Sequence, residues 1–116
     1  MPYVATVGSK YTQRCTTPRQ GTGLRSVLVE GQPIARVNDK TEPYEENVPC
    51  KECCRTHVAT VIDGSRSVYA GGQPVAWVGS KAQGITGNPS IIDGARSVTV
   101  GRWIFLWYNN QEFITT

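Results

Sequence analysis

Apolar and polar positions alternate over short stretches of this chain, and the stretches recur. In Arg25-Ser26-Val27-Leu28-Val29-Glu30-Gly31, Ser26, Leu28 and Glu30 fall on one face and Val27 and Val29 on the other. That two-residue period is the period of a strand. The stretch from Trp103 to Tyr108 also reads as strand, with Asn109-Asn110 as a turn before Glu112–Thr116. Val, Ile, Thr, Tyr and Trp are plentiful, Leu is scarce, and there are 12 Gly and 7 Pro. Such a chain favours strands and turns over helices, and the predicted class is all-β.

Two short words each occur three times. The first is apolar-Ala-x-Val-x-x-Lys, at Val4 to Lys10, Ile34 to Lys40 and Val75 to Lys81. The second is Gly-x-Arg-Ser-Val, at Gly23 to Val27, Gly64 to Val68 and Gly94 to Val98. Val-rich strands resemble one another in general, but a shared Lys and a shared Arg-Ser pair in register mark an internal repeat. From second word to first the link is tight, Leu28 to Pro33 and Tyr69 to Pro74. In these links Glu30-Gly31 and Gly71-Gly72 read as hairpin turns. From first word to second the link is long: Tyr11 to Leu24, Thr41 to Ser65 and Ala82 to Ala95.

The chain therefore reads as three hairpin units, the third split between the termini. Pairing of Val4-Ala5-Thr6-Val7 beside Ser97-Val98-Thr99-Val100 closes the units into a pseudo-threefold ring and removes open sheet edges. Tight turns gather at one end and the three long loops at the other. Residues 1–102 form the repeat domain, and 103–116 a β tail packed on it.

The length of 116 residues suits one domain. The net charge of +3 is mild and dispersed, which gives no footprint for nucleic acid. The N-terminus has no secretory pattern, and Trp103 to Tyr108 is too short to span a bilayer. The expectation is a protein made in a cytoplasm, where stable disulfides are uncommon.

The chemistry concentrates in Cys50-Lys51-Glu52-Cys53-Cys54-Arg55-Thr56-His57, which holds three of the 4 cysteines and the 1 histidine. It occupies the extra length of the second long loop, and Cys15 lies in the first. Cys50-x2-Cys53-x3-His57 has the spacing of zinc knuckles, and a structural site takes four thiolate or imidazole ligands. The candidate metal ligands are Cys15, Cys50, Cys53, Cys54 and His57, four of the five expected, with zinc ahead of iron. Disulfides are the alternative, for example Cys15 with one cysteine of the second loop; free thiols come third. A catalytic Cys-His pair lacks an orienting group and an oxyanion-hole motif, so the chain reads as no enzyme. Arg25, Arg66 and Arg96 read first as fixing strand ends and second as recognising a partner. Asp63-Gly64 and Asp93-Gly94 read as turns, and Pro43-Tyr44-Glu45-Glu46-Asn47 as a solvated loop.

Gly31 to Lys40 and Gly71 to Lys81 resemble the Pro-x-Ala-Arg-Val-Gly-Asp core of PAAR-repeat proteins, and Arg25 to Glu30 and Arg66 to Gly71 resemble the strand before it. The likeness runs over roughly residues 2 to 102. The resemblance implies a small conical β protein whose base sits on the trimeric β-helical spike of a contractile injection machine, a phage tail or type VI secretion system. It implies a metal near the point, a monomer that contacts the target cell envelope during piercing, and a place at the virion or machine tip. Family members take ligands largely from histidines spread over the loops, whereas here the candidates are mostly cysteines. The short stretch after Arg102 carries no effector domain, which favours a phage or phage-like tip over a toxin-carrying one. The competing reading is a metal-knuckle module that binds nucleic acid or protein through its loops. Lys51, Arg55 and Tyr44 suit it, and Glu45, Glu46 and Glu52 oppose phosphate contact.

Overall fold

The computed structural model describes residues 2–47, 54–84 and 87–100. The expected tail at 103–116 lies outside the described residues. The described chain is all-β. Its strands are β1 (Tyr3–Val4), β2 (Leu24–Val29), β3 (Gln32–Ile34), β4 (Tyr44–Asn47), β5 (Cys54–His57), β6 (Thr60–Val61), β7 (Tyr69–Ala70), β8 (Gln73–Pro74), β9 (Ala82–Gln83) and β10 (Ala95–Thr99).

Strands β2–β3 and β7–β8 form the two hairpins that the glycine turns predict. Their turn residues take positive φ, 54° and 81° at Glu30 and Gly31, 57° and 82° at Gly71 and Gly72. Two consecutive left-handed residues match the right-handed twist of the flanking strands. Strand β1 pairs antiparallel with β10, so the two ends of the described repeat close on each other. Val29 is 4 % exposed and Leu28 58 %, as the alternation of β2 requires.

The repeated words make the same bonds in each copy. The Ala5 N–H donates to the Ala76 carbonyl, Ala76 to Ala35, and Ala35 back to Ala5, at 3.0, 2.9 and 2.9 Å. A cycle of three leaves none of these buried backbone groups unpaired. All three alanines are fully buried. One residue before them, Val4, Ile34 and Val75 join a cluster on the turn side with Val29, Val68, Ala70, Ala95 and Val100. The alanines themselves belong to a second cluster on the loop side, with Tyr11, Tyr44, Ala59, Val61, Ala82 and Ile91. Small residues are needed at the cycle because three backbones meet there.

The second word differs from its reading as plain strand. Leu24 stands opposite Ile34 and Leu28 opposite Pro33, so Arg25, Ser26 and Val27 bulge out of the ladder. Ala95 stands opposite Val4 and Thr99 opposite Tyr3, which leaves Arg96, Ser97 and Val98 in the same position. In the remaining copy the Ser65 N–H donates to the Val75 carbonyl and the Val75 N–H to Val68, enclosing Arg66 and Ser67. The Ser65 hydroxyl closes that bulge by accepting from the N–H groups of Ser67 and Val68.

The glycine of the second word also has a different reason from the predicted turn. A Cβ at Gly23, Gly64 or Gly94 would lie 2.6, 2.6 or 2.5 Å from the carbonyl oxygen of Ile34, Val75 or Val4. The residue is glycine because another backbone passes against it. The preceding Asp63 and Asp93 are not simple turn formers. Their Oδ1 atoms accept from the N–H groups of Lys81 and Lys10, at 2.8 and 2.7 Å. Thr22 does the same for Lys40 through its hydroxyl. These bonds tie each first word to a long loop from elsewhere in the chain.

Candidate functional site

The long loops are held mainly by short bridges between them. Lys10 pairs with Arg19, Lys40 with Thr60 and Lys81 with Ser90, each bridge folding a loop back on its own first word. Tyr11 pairs with Ile91 and Gln20 with Thr41, which join one loop to the next. Inside this end, the Tyr11 hydroxyl donates to Gln20, whose amide in turn donates to the carbonyls of Thr22 and Lys40. Both side chains are fully buried. Burial and the nearby Asp39 and Tyr44 raise the Tyr11 pKa above the ordinary phenol range.

The second loop is longer because it carries an extra hairpin, β4 against β5. Its register is Tyr44 to His57, Glu45 to Thr56, Glu46 to Arg55 and Asn47 to Cys54. Tyr44–Asn47 is thus a strand that buries Tyr44 and Glu46, rather than part of a solvated loop; Pro43 and Glu45 are exposed. Tyr44 is 4 % exposed and the Glu46 side chain is completely buried. Alternation along β4 turns both inward. Burial of a carboxylate requires a partner, and the Arg14 guanidinium from the first loop supplies it through Nε. The Tyr44 hydroxyl donates to the other Glu46 oxygen at 3.2 Å. Burial and then the Glu46 charge raise the Tyr44 pKa above the ordinary phenol range. The third loop passes close to the pair: a Cβ on Gly84 would collide with Glu46 Oε2 and the Gly87 carbonyl oxygen and crowd Tyr44 Oη.

Two residues along from Arg14, Thr16 lies against the free edge of β4. Its N–H donates to the Glu45 carbonyl, and its hydroxyl accepts from the Glu45 N–H. Between them stands Cys15, bonded to Cys54 in a disulfide with a Cα–Cα distance of 6.3 Å. The strand register puts Cys54 on the face of Glu45 and Thr56, opposite the face of Tyr44, Glu46 and His57. His57 packs edge-on against Tyr44, with ring centroids 6.1 Å apart.

These positions bear on the predicted ligands one by one. The structure brings Cys15 and Cys54 together, as the disulfide that the sequence offered as the alternative to a metal. His57 stands on the other face of the hairpin. As placed, Cys15, Cys54 and His57 do not fit a common ion, because the two sulfurs are bonded to each other and the imidazole faces away. Cys50 and Cys53 lie outside the described residues. Sequence reasoning missed Arg14 and Glu46, the fully buried charge and its partner. The available signal was the alternation of Tyr44 and Glu46, with one inward residue apolar and the other ionic. No protein-family model and no curated protein matches this chain.

Proposed function

We propose that the protein is a structural, non-enzymatic tip. It caps the trimeric β-helical spike of a contractile phage tail or a phage-like injection machine and pierces the target envelope. The observation that carries the reading is the closed cycle of hydrogen bonds among Ala5, Ala35 and Ala76. A single chain with three equivalent units around one axis is the kind of body that can seat on a threefold partner without a symmetry mismatch. In this reading the units form a pseudo-threefold cone, its base at the tight turns and its point at the long loops.

A point that is driven through an envelope has to resist bending of its loops. Three features support that role at the loop end: the Cys15–Cys54 bond, the Arg14–Glu46 pair and the Tyr11–Gln20 core hydrogen bond. The first two join segments 39 and 32 residues apart, the third closes the first loop on itself, and each adds to the cost of opening the loops. A zinc ion, ahead of iron, held among Cys15, Cys50, Cys53, Cys54 and His57, is the second way to fasten the same point. It requires the Cys15–Cys54 bond to be reduced. The protein would be made in the host cytoplasm and end at the tip of the virion or machine.

The test is co-purification with a trimeric β-helical spike protein, with stoichiometry read by native mass spectrometry. One copy per spike trimer is expected. Failure to bind the spike, with salt-sensitive binding of nucleic acid instead, overturns the reading in favour of the loop-end binding module.

A further inference from the structure

Three arginines stand at equivalent places, and none of them takes part in an ion pair among the described residues. Arg25, Arg66 and Arg96 each occupy the first position of the Arg-Ser-Val bulge, on the turn side of the close approach at Gly23, Gly64 and Gly94. All three are exposed. The valine of each bulge turns inward and packs with the turn-side cluster, as Val27, Val68 and Val98. The bulge therefore has an internal reason for its valine, whereas its arginine is exposed in every copy.

Among the described residues the ion pairs are Arg14–Glu46 and Arg36–Asp39, and none of the three bulge arginines takes part in one. Arg96 rests with its guanidinium over the Tyr3 ring at 5.7 Å and stays exposed there. Glu30, at the β2–β3 turn, is already committed to the Ser97 N–H and hydroxyl, at 2.9 and 2.7 Å. A bulge re-aims a side chain out of the sheet, and here the same device presents the same cation three times.

We infer that Arg25, Arg66 and Arg96 form a docking ring whose partner is a set of carboxylates repeated threefold at the end of the spike. The inference rests on the spike-tip reading and names the chemistry of its base contact. Guanidinium groups suit it because they bind carboxylates through two parallel hydrogen bonds, which fixes orientation as well as attraction. Charge around the rim steers the encounter and sets the register of cap on spike, while apolar contact closes the centre. The exposed Leu28, on the same strand as Arg25, belongs to that apolar contact.

The probe is the purified β-helical trimer of the spike, titrated with the full chain at about 50 and 300 mM salt, a range over which exposed charge pairs are progressively screened. Each of Arg25→Gln, Arg66→Gln and Arg96→Gln is expected to weaken binding about threefold, the size of one rim charge pair. The triple variant should weaken it about 30-fold and lose most of the salt dependence, and lysine at all three positions should restore part of both. Circular dichroism and melting, unchanged in the triple variant, keep the comparison one of folded proteins. Native-like affinity of the folded triple Gln variant for the trimer overturns the ring and leaves the spike-tip reading standing. A native chain that ignores the trimer removes that reading and the ring with it. Binding of short duplex DNA in place of the trimer, abolished by the triple Gln change, reassigns the arginines to phosphate and overturns both.

Discussion

The buried carboxylate of Glu46 in β4 is ion-paired with Arg14, which comes from a different long loop 32 residues away. The pair sits on one face of the β4–β5 hairpin and the Cys15–Cys54 bond on the other, so first loop and extra hairpin are joined on both faces. The two fasteners differ in what disrupts them, and this separates them experimentally.

Replacing Arg14 by Ala leaves a fully buried carboxylate without its guanidinium. Breaking such a pair from one side costs about 3 kcal/mol, the low end of the usual range because the guanidinium is partly exposed. Thermal or urea unfolding should read that loss. Glu46→Gln, which removes the charge but keeps an acceptor, should cost less than Arg14→Ala. Equal stability of Arg14→Ala and the native chain would sink the role given to the pair.

Reductant and chelator distinguish the two ways of closing the loop end. The Cys15–Cys54 bond spans a sequence separation of 39. Loop closure of that length corresponds to about 4 kcal/mol in the chain-entropy account of disulfides. Reductant should therefore lower the melting temperature of the native chain, and should not lower that of the Cys15→Ala/Cys54→Ala double variant. A chelator should leave the oxidised native chain unchanged. A melting temperature that falls with chelator and not with reductant would return the fastening to a metal.

The hairpins and their closure were legible because the signals are local. Glu30-Gly31 and Gly71-Gly72 specify the turns, and the alternation around Val29 specifies the face. The pairing of β1 with β10 was legible from the split third unit, since only that pairing completes the set. The Arg-Ser-Val bulges were not legible, because a bulge keeps strand-like composition and differs only in which backbone groups are paired. Glu46 was read as solvated for a related reason. Its partner Arg14 is distant in sequence, and a carboxylate without a visible partner is normally exposed. Cys15 and Cys54 were legible as candidates for joining the first two loops, and the chemistry of that join was not, since thiol spacing serves metals and disulfides alike.

The close approaches at Gly64 and Gly94 predict a shared sensitivity. Gly64→Ala and Gly94→Ala each force a methyl against a carbonyl oxygen of the fully buried Val75 or Val4. The backbone must shift, at a cost of about 1–3 kcal/mol. Gly8→Ala has nothing within 4 Å of its added methyl, so its cost is that of its φ of 94° alone. Unfolding curves of the three variants should show losses of stability at all three. Crowding should appear as altered amide shifts around Val4 or Val75 only in the Gly64 and Gly94 variants. A Gly64→Ala protein as stable as the native chain would contradict the close packing of the second word.

Alkaline pH tests the loop-side core through Tyr11 and Tyr44. Both phenols are raised above their ordinary value, chiefly by burial and then by nearby negative charge, Asp39 at Tyr11 and Glu46 at Tyr44. A folded-state pKa above the unfolded one means that the native chain holds these protons more tightly. Their contribution to stability is complete below about pH 10, the unfolded tyrosine value, and declines as pH rises beyond it. Urea midpoints should fall between pH 10 and 12 for the native chain. The decline should be shallower in Tyr44→Phe, which removes one of the two groups along with its hydrogen bond to Glu46. In absorbance titration, the part of the phenolate signal lost in Tyr11→Phe should develop together with loss of near-ultraviolet circular dichroism, because ionisation of that phenol requires the core to open. Ionisation of Tyr11 in a chain that keeps its native circular dichroism would show that the loop-side core admits water, and with it that the proposed point is not rigid.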